Sequence, residues 1–300
     1  MKPTVSVSLM TYNQEKYINQ CIDSIISQIT DFDFEIVIGD DASTDATPNI
    51  IYEYTKNCTK ITFIQRKENI GLHNNFMEII NHCKGDYIAL MEGDDFWIDP
   101  YKLQKQKDIL DEHPQVAFCF GNSITFTDTL ENGKKTHSSV NNNPFDLHDY
   151  MKLGIRVPNN TKMFRMTSFP KQMPLIFYES IQWDWLLHIF MLLQGKAYYI
   201  DSTFLAYRRH ENAIISDHNL ERILQDAIYT VYNINKYIPE EFHVYFNHPL
   251  YELNALAFYY LKTRKFSSFF KYYFKWLRKV HFSSVTLRDE LYKMKINLFK

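Results

Sequence analysis

The chain opens on Thr4-Val-Ser-Val-Ser-Leu-Met-Thr11, an apolar run rich in β-branched residues that reads as a buried strand. Between residues 14 and 28 the apolar side chains fall at Tyr17, Ile18, Cys21, Ile22, Ile25 and Ile26, the stripe of an amphipathic helix. Phe34-Glu-Ile-Val-Ile-Gly39 is a second strand. It runs into Asp40-Asp41-Ala42-Ser43-Thr44-Asp45, a cluster of turn and capping residues, with a helix following to about Lys56. Ile61–Arg66 reads as a third strand, Asn75–Cys83 as a helix and Asp86–Met91 as a fourth strand.

Strands alternating with helices imply right-handed crossovers and a mostly parallel α/β sheet covered on both faces. Ligands of such sheets sit at the carboxyl ends of the strands. The polar residues gather there: Thr11, Tyr12 and Asn13 after the first strand, Asp40 and Asp41 after the second, Glu92 to Asp95 after the fourth.

After Pro100 the pattern loosens. Lys102–Glu112 predicts a helix and Val116–Phe120 a strand, while residues 121–145, rich in Asn, Ser and Thr, read as a long loop. Thr161–Met166 predicts a strand, Ile181–Leu193 a helix, and Ala197–Ile200 and Phe204–Tyr207 two short strands. From about Leu220 the pattern is helical. The expected organisation is a domain over 1–218, divided into halves at 98/99, followed by a helical region over 219–300.

Composition supports a packed protein. Of 300 residues 45% are hydrophobic and 16% aromatic, which excludes a disordered chain. The formal net charge of −2 excludes a general nucleic-acid binder. That average hides an asymmetry: residues 249–300 hold eleven Lys/Arg against three Asp/Glu, so the rest is acidic. Cys21, Cys58, Cys83 and Cys119 form no CxxC pair and read as reduced thiols rather than a zinc site. With no signal-peptide pattern and no apolar run of about 18 residues, the expected location is the cytosol.

The strongest local signal is Met91-Glu92-Gly93-Asp94-Asp95-Phe96-Trp97, which delivers three carboxylates within four residues to a sheet edge. Carboxylates so crowded need a cation or hydrogen bonds to stay ionised. Oxygen ligands favour Mg²⁺ or Mn²⁺, ions that usually also hold substrate phosphates.

From Val5 to about His210, two thirds of the chain, these pieces in this order resemble glycosyltransferase family 2, the inverting enzymes with the GT-A (Rossmann-like) fold. Ser6–Asn13 resembles the family's opening strand and nucleotide loop. Glu35–Asp45 resembles its VDDGSTD motif, Asn69-Ile70-Gly71 its Asn-x-Gly element, and Glu92-Gly93-Asp94 stands at its DxD position. Two residues depart from the pattern: Glu92 for the first Asp of DxD, and Ala42 for the usual Gly. The absence of QxxRW implies a non-processive enzyme.

The resemblance implies site residues. Thr11, Tyr12 and Asn13 would line the nucleotide pocket, and Asp40 or Asp41 would accept from the base. Arg66 would contact the diphosphate. Asp94 would bind the metal, with Glu92 directed to the ribose or the metal and Asp95 sharing either role. Asp184, in Gln182-Trp183-Asp184-Trp185, matches the family's late acidic position and would be the base that deprotonates the acceptor. The flanking tryptophans would partly desolvate it, and Trp183 could stack on a sugar; Glu179 is the fallback base. In Tyr207-Arg208-Arg209-His210, Arg208 or Arg209 would neutralise the leaving diphosphate and His210 would be a further metal ligand.

The expected function is therefore metal-dependent transfer from a nucleotide-sugar, UDP-linked by preference, to a saccharide or lipid-linked acceptor in surface polysaccharide synthesis. The alternatives are an inactive scaffolding partner in such a complex and a sugar nucleotidyltransferase, although residues 8–24 contain no glycine for the latter's phosphate loop. Residues 253–288 carry eight Lys/Arg, eleven aromatics and no acid. Over 266–277 they form a basic helix with an aromatic side, suited to an anionic membrane surface, to a second subunit in a homo-oligomer, or to the chain's own domain.

Overall fold

In the computed structural model of the protein, the described residues are 2–136, 138, 140, 142–210, 220–246, 259–260, 263 and 265–279. The chain divides into two compact units: Met1–Met173 with Asp184–His210, and Pro174–Trp183 with Glu211–Lys300. The expected boundary at 218/219 adjoins residues 211–219, which lie outside the described residues, and the ten residues Pro174–Trp183 group with the second unit.

The first unit is built on a nine-stranded mixed sheet. Its parallel part has the order β3 (Ile61–Gln65), β2 (Phe34–Asp40), β1 (Val5–Thr11), β4 (Tyr87–Glu92). Helices α1 (Ile18–Ile26), α2 (Thr47–Asn57) and α3 (Leu72–His82) make the crossovers. Val5, Val7 and Leu9 of β1 share a core cluster with Ile18, Cys21, Ile22 and Ile25 of α1. The alternate residues Ser6 and Ser8 face the opposite way. Ser6 Oγ donates to Glu35 (2.6 Å) and accepts from the Lys84 and Gly85 amides (3.1 and 2.8 Å), tying the α3–β4 turn to β1. Gly39 lets α3 lie close, since a Cβ there would stand 2.6 Å from both Asn75 and Ile79.

Beyond β4 the sheet becomes mixed. β8 (Met163–Arg165) pairs antiparallel with both β4 and β6 (Val116–Phe126), and β9 (Lys196–Arg208) runs parallel to β6. The two-residue β5 (Phe96–Trp97) pairs antiparallel with β9, and β7 (Lys134–Thr136) with β6. Helices α4 (Lys102–Glu112) and α5 (Leu147–Leu153) also belong to this unit, and α7 (Trp183–Leu192) begins at the boundary.

Two expectations change here. The segment expected as a loop from residue 121 begins as strand, because β6 continues to Phe126. The two short strands expected at 197–207 are one strand, β9, interrupted by a bulge. Opposite that bulge, Gly121 admits Phe204 and the Ser202 carbonyl where a Cβ would stand 2.5 and 2.6 Å from them.

In the second unit, α6 (Leu175–Glu179) leads to Ser180, which donates to Asp226 of α8 (Leu220–Asn233) at 2.8 Å. The last described helix, α9 (Phe266–Lys279), matches the expected basic amphipathic helix; residues 253–258, 261, 262, 264 and 280–288 of the expected contact segment lie outside the described residues. Among the described residues no helix is long and apolar enough to cross a membrane.

The four cysteines are free, Cys21 and Cys119 buried and Cys58 and Cys83 partly so. Burial pushes the Cys83 and Cys119 thiols up to about 12, keeping them protonated.

Lys102 was not anticipated in the core. Its ammonium donates to Gln106 Oε1 at 2.6 Å and lies 4.0 Å from the centre of the Trp97 ring. A desolvated cation–π contact contributes about 2 kcal/mol, less than the several kcal/mol lost when an ion leaves water. Burial therefore wins and lowers the Lys102 pKa to about 7, against the opposing effects of Cys119 and Asp99. The unfolded amine holds its proton to about pH 10.4, so above pH 7 the unfolded state binds more protons and stability rises with pH.

In urea unfolding between pH 7 and 8.5, wild-type stability should rise more steeply than that of Lys102→Met, by up to about 1.4 kcal/mol per pH unit. Parallel curves would contradict this. A second expectation concerns Ala42, which has φ 62°, a left-handed conformation that costs a non-glycine residue about 1–2 kcal/mol. Allowing for the greater unfolded-state freedom of glycine, Ala42→Gly should stabilise by about 0.5–1 kcal/mol; a loss of stability would refute the strain.

Candidate active site

The loops after β1 and β2 interlock at the carboxyl edge of the sheet. The Asn13 amide donates to Ser43 Oγ (2.8 Å), the Thr44 amide donates to Asn13 Oδ1 (2.8 Å), and the Gln14 amide donates to Thr47 Oγ1 (2.8 Å). Asn13 has φ 53°, a conformation asparagine tolerates. Thr11 is buried with its hydroxyl unpartnered among the described residues, while Tyr12 is 47% exposed beside it.

Asp40 and Asp41 separate into distinct roles. Asp40 is fully buried and accepts from the amide of Ser43 (3.0 Å) and from its hydroxyl. Burial raises its pKa, and the bonds from Ser43 oppose the rise. Asp41 accepts from the amides of Ile70 and Gly71 (2.8 and 3.0 Å), while its carbonyl accepts from Asn69 (3.1 Å). The pair expected to meet a base thus first holds the loops together, with Asp41 keeping the Asn-x-Gly turn against the edge. Arg66 is similarly engaged: it pairs with Glu78 and donates to Asn75 Oδ1 (3.2 Å), leaving a buried Nη2 without a partner among the described residues.

The turn after β4 collects the acidic groups. Asp95, 1% exposed, accepts from the Arg208 amide (2.9 Å) and from Asn160 Nδ2 (2.7 Å). Burial, then the charge of Asp94, pushes its pKa well up. Its place is between β9 and the 159–161 turn, with both carboxylate oxygens bonded to protein donors. Arg208 donates to the Asp94 carbonyl (3.1 Å) and to Gln20 (2.7 Å), with its guanidinium 4.7 Å from the Tyr17 ring centre and 4.8 Å from that of Phe126. The aromatic rings and these bonds fix it against the turn.

Asp94 and His210 come together, as expected from two separate motifs. Asp94 Oδ2 and His210 Nε2 are 3.0 Å apart, and Asp94 Oδ1 and His210 Nδ1 are buried without partners among the described residues. These orphaned donors fit a divalent cation. Among the described residues no group of three His, Cys, Asp or Glu side chains is placed to hold a metal alone.

Glu92 completes the edge. Burial, and next the Asp94 charge, push its pKa up to about 7, with Asp184 adding to the rise; Asn159 Nδ2 donates to it at 3.1 Å. Asp184 stands in the first turn of α7, where its carboxylate accepts from the Trp185 amide (2.8 Å).

Trp183 is placed differently from the expectation. It is buried in the second unit and meets Phe177 edge-on at 6.1 Å, so its indole is committed to packing rather than offered to a sugar. The fallback base Glu179 accepts from Tyr229 at 2.6 Å, also in the second unit.

The residues sequence reasoning missed lie in Asn159-Asn160-Thr161-Lys162 and on α7. Asn159 and Asn160 bind two of the three carboxylates at the end of β4. Lys162, fully buried, places Nζ 2.5 Å from His188 Nε2, and His188 Nδ1 is 3.1 Å from the Tyr150 hydroxyl. The signals available were a lysine inside an apolar strand and a histidine four residues after Asp184.

Comparison with known proteins agrees with this architecture. Over 213 residues the chain is 35% identical to the uncharacterized protein Rv1520 of Mycobacterium tuberculosis, a match covering 70% of this chain and 60% of the relative's length. Its fold matches S. aureus TarS in complex with UDP-GlcNAc, with a TM-score of 0.59, 21% identity and coverage of 84% of this chain and 70% of that one. It also matches the mannosyltransferase PcManGT of Pyrobaculum calidifontis in complex with GDP-Man and Mn²⁺ (TM-score 0.59, 14% identity, 100% and 82% coverage). The sheet and its helices are thus those of the GT-A fold. Residues 6–171 match the Glycosyl transferase family 2 model, more than half of the chain, and the protein belongs to that family.

Proposed function

We propose that this protein transfers a sugar, with inversion, from a UDP-linked donor to a saccharide or lipid-linked saccharide acceptor of a surface polysaccharide, one sugar per encounter. The observation that carries the reading is the Asp94–His210 pair, with its orphaned buried atoms, at the strand-end edge that also holds Glu92 and feels the charge of Asp184. Family membership supports the reaction class, and neighbours of the same fold hold UDP-GlcNAc in one case and GDP-Man with Mn²⁺ in another.

On this reading Thr11, Tyr12 and Asn13 border the nucleotide, with Tyr12 the exposed face for a base. Asp41 acts through the 69–71 turn, and Arg66 offers its unpartnered Nη2 to phosphate. Asp94 and His210 hold Mg²⁺ or Mn²⁺, which when bound neutralises the diphosphate leaving group. Asp184 removes the acceptor hydroxyl proton as that oxygen bonds to the anomeric carbon and the bond to the diphosphate breaks.

Asp184→Asn should lower kcat about 10²–10⁴-fold, the range for loss of a general base, with UDP affinity within about twofold of wild type. Undiminished turnover would sink the base assignment, and Glu179→Gln then tests the fallback. A wild-type protein that binds UDP but releases none from any nucleotide-sugar would support the scaffolding alternative instead.

A membrane-facing role for α9 rests on Phe266, Phe270 and Phe274, which are exposed one helical turn apart, with Lys271 and Lys275 exposed among them. Each basic residue near an anionic surface contributes about 1 kcal/mol. The protein should float with phosphatidylserine vesicles at low salt and be released at high salt. Failure to float would return α9 to a packing role.

A further inference from the structure

Deepening this reading, and resting on Asp94 and His210 as the metal pair, we infer that Tyr17 is a positioning residue whose ring orients the His210 imidazole and seats Arg208 beside it. Tyr17 stands immediately before α1, and nothing in the proposed chemistry uses it. Its ring centre lies 5.1 Å from that of His210, with 36° between the two planes. The Arg208 guanidinium lies 4.7 Å from the same centre, within the range of a cation–π contact. One aromatic ring thus serves both ends of the Arg208–His210 segment.

His210 needs such a platform because it lies two residues beyond the end of β9, where the sheet does not fix its ring. Its Nε2 meets Asp94 Oδ2 at 3.0 Å, a bond that depends on a proton between the two atoms. Metal ligands give up their protons, so a cation held by both groups removes that bond. A histidine that binds a metal is usually oriented by a hydrogen bond from its other ring nitrogen. Here Nδ1 is buried without a partner among the described residues. Among those residues, the contact left to orient the imidazole is the Tyr17 ring.

Tyr17 is itself anchored in the loop that borders the proposed nucleotide site. Its amide donates to the Gln14 carbonyl (2.9 Å), and the Gln14 amide donates to Thr47 Oγ1 (2.8 Å). One turn further along α1, Gln20 accepts from Arg208 Nη2 (2.7 Å). Arg208 Nε in turn donates to the Asp94 carbonyl (3.1 Å). The start of α1 therefore holds both members of the pair: His210 through the Tyr17 ring, and Asp94 through Gln20 and Arg208. Tyr17 acts through these residues, which makes its role one of position. Both of its contacts are made by the ring, which phenylalanine preserves and an aliphatic side chain does not.

The test is Mn²⁺ binding by the full chain at saturating UDP, read by electron paramagnetic resonance. In the wild type, spin-echo modulation should show a nitrogen nucleus bound to Mn²⁺, and His210→Gln should abolish it. Tyr17→Phe should keep that modulation and bind Mn²⁺ within about twofold of wild type, because the orienting ring remains. Tyr17→Leu should weaken Mn²⁺ binding by about 10–100-fold, the usual cost of losing a group that orients a ligand. At saturating Mn²⁺ its nitrogen modulation should be diminished or lost. Tyr17→Met carries the same readouts if Tyr17→Leu does not fold. An equal loss in Tyr17→Phe overturns the platform, as does weaker binding by Tyr17→Leu with the nitrogen modulation intact. A wild-type protein without nitrogen modulation overturns His210 as a ligand and the platform together. Wild-type modulation beside an unaffected Tyr17→Leu overturns the platform alone and leaves the metal pair standing.

Discussion

Mutual repulsion among carboxylates at one sheet edge is the constraint around which the first unit is organised. Asp40, Asp41, Glu92, Asp94 and Asp95 are delivered there by the ends of two parallel strands, β2 and β4, which flank β1, or by the turns that follow them. Unpaired, such groups would protonate or push the loops apart. The fold gives each a donor: Ser43 for Asp40, the 70–71 amides for Asp41, Asn159 for Glu92, His210 for Asp94, and Asn160 with the Arg208 amide for Asp95. These bonds also hold the interlocked loops, so the charge arrangement and the shape of the site have one cause.

The compensation is uneven, and the unevenness marks the chemistry. Asp40, Asp41 and Asp95 spend both oxygens on the protein, while Asp94 keeps one buried oxygen without a partner among the described residues. Burial, then the charge of Asp94, raises Glu92 to about 7.

Much of the fold was legible in the sequence. Buried parallel strands read as unbroken apolar runs, and α1 shows its helical stripe. β5 and β7 were not legible because two or three residues carry no periodicity, and β9 read as two pieces because Asp201-Ser202-Thr203 breaks the apolar pattern at a bulge. The site was legible in position more than in role. Asp94 and His210 meet as expected, yet Asp95 and Arg208 face inward to protein partners, and Trp183 packs on Phe177. No pattern in one sequence says whether a strand-end carboxylate meets ligand or amide. Lys162 stands out as a lysine among apolar residues, but its partner, His188, is distant in sequence, so their pairing was not legible.

The most direct test of the central claim is anomalous diffraction at the manganese edge from crystals soaked with UDP and Mn²⁺. The account predicts a manganese peak at Asp94 and His210, with the diphosphate completing its coordination. UDP bound at the strand ends with manganese elsewhere, or UDP bound away from that edge, would contradict it.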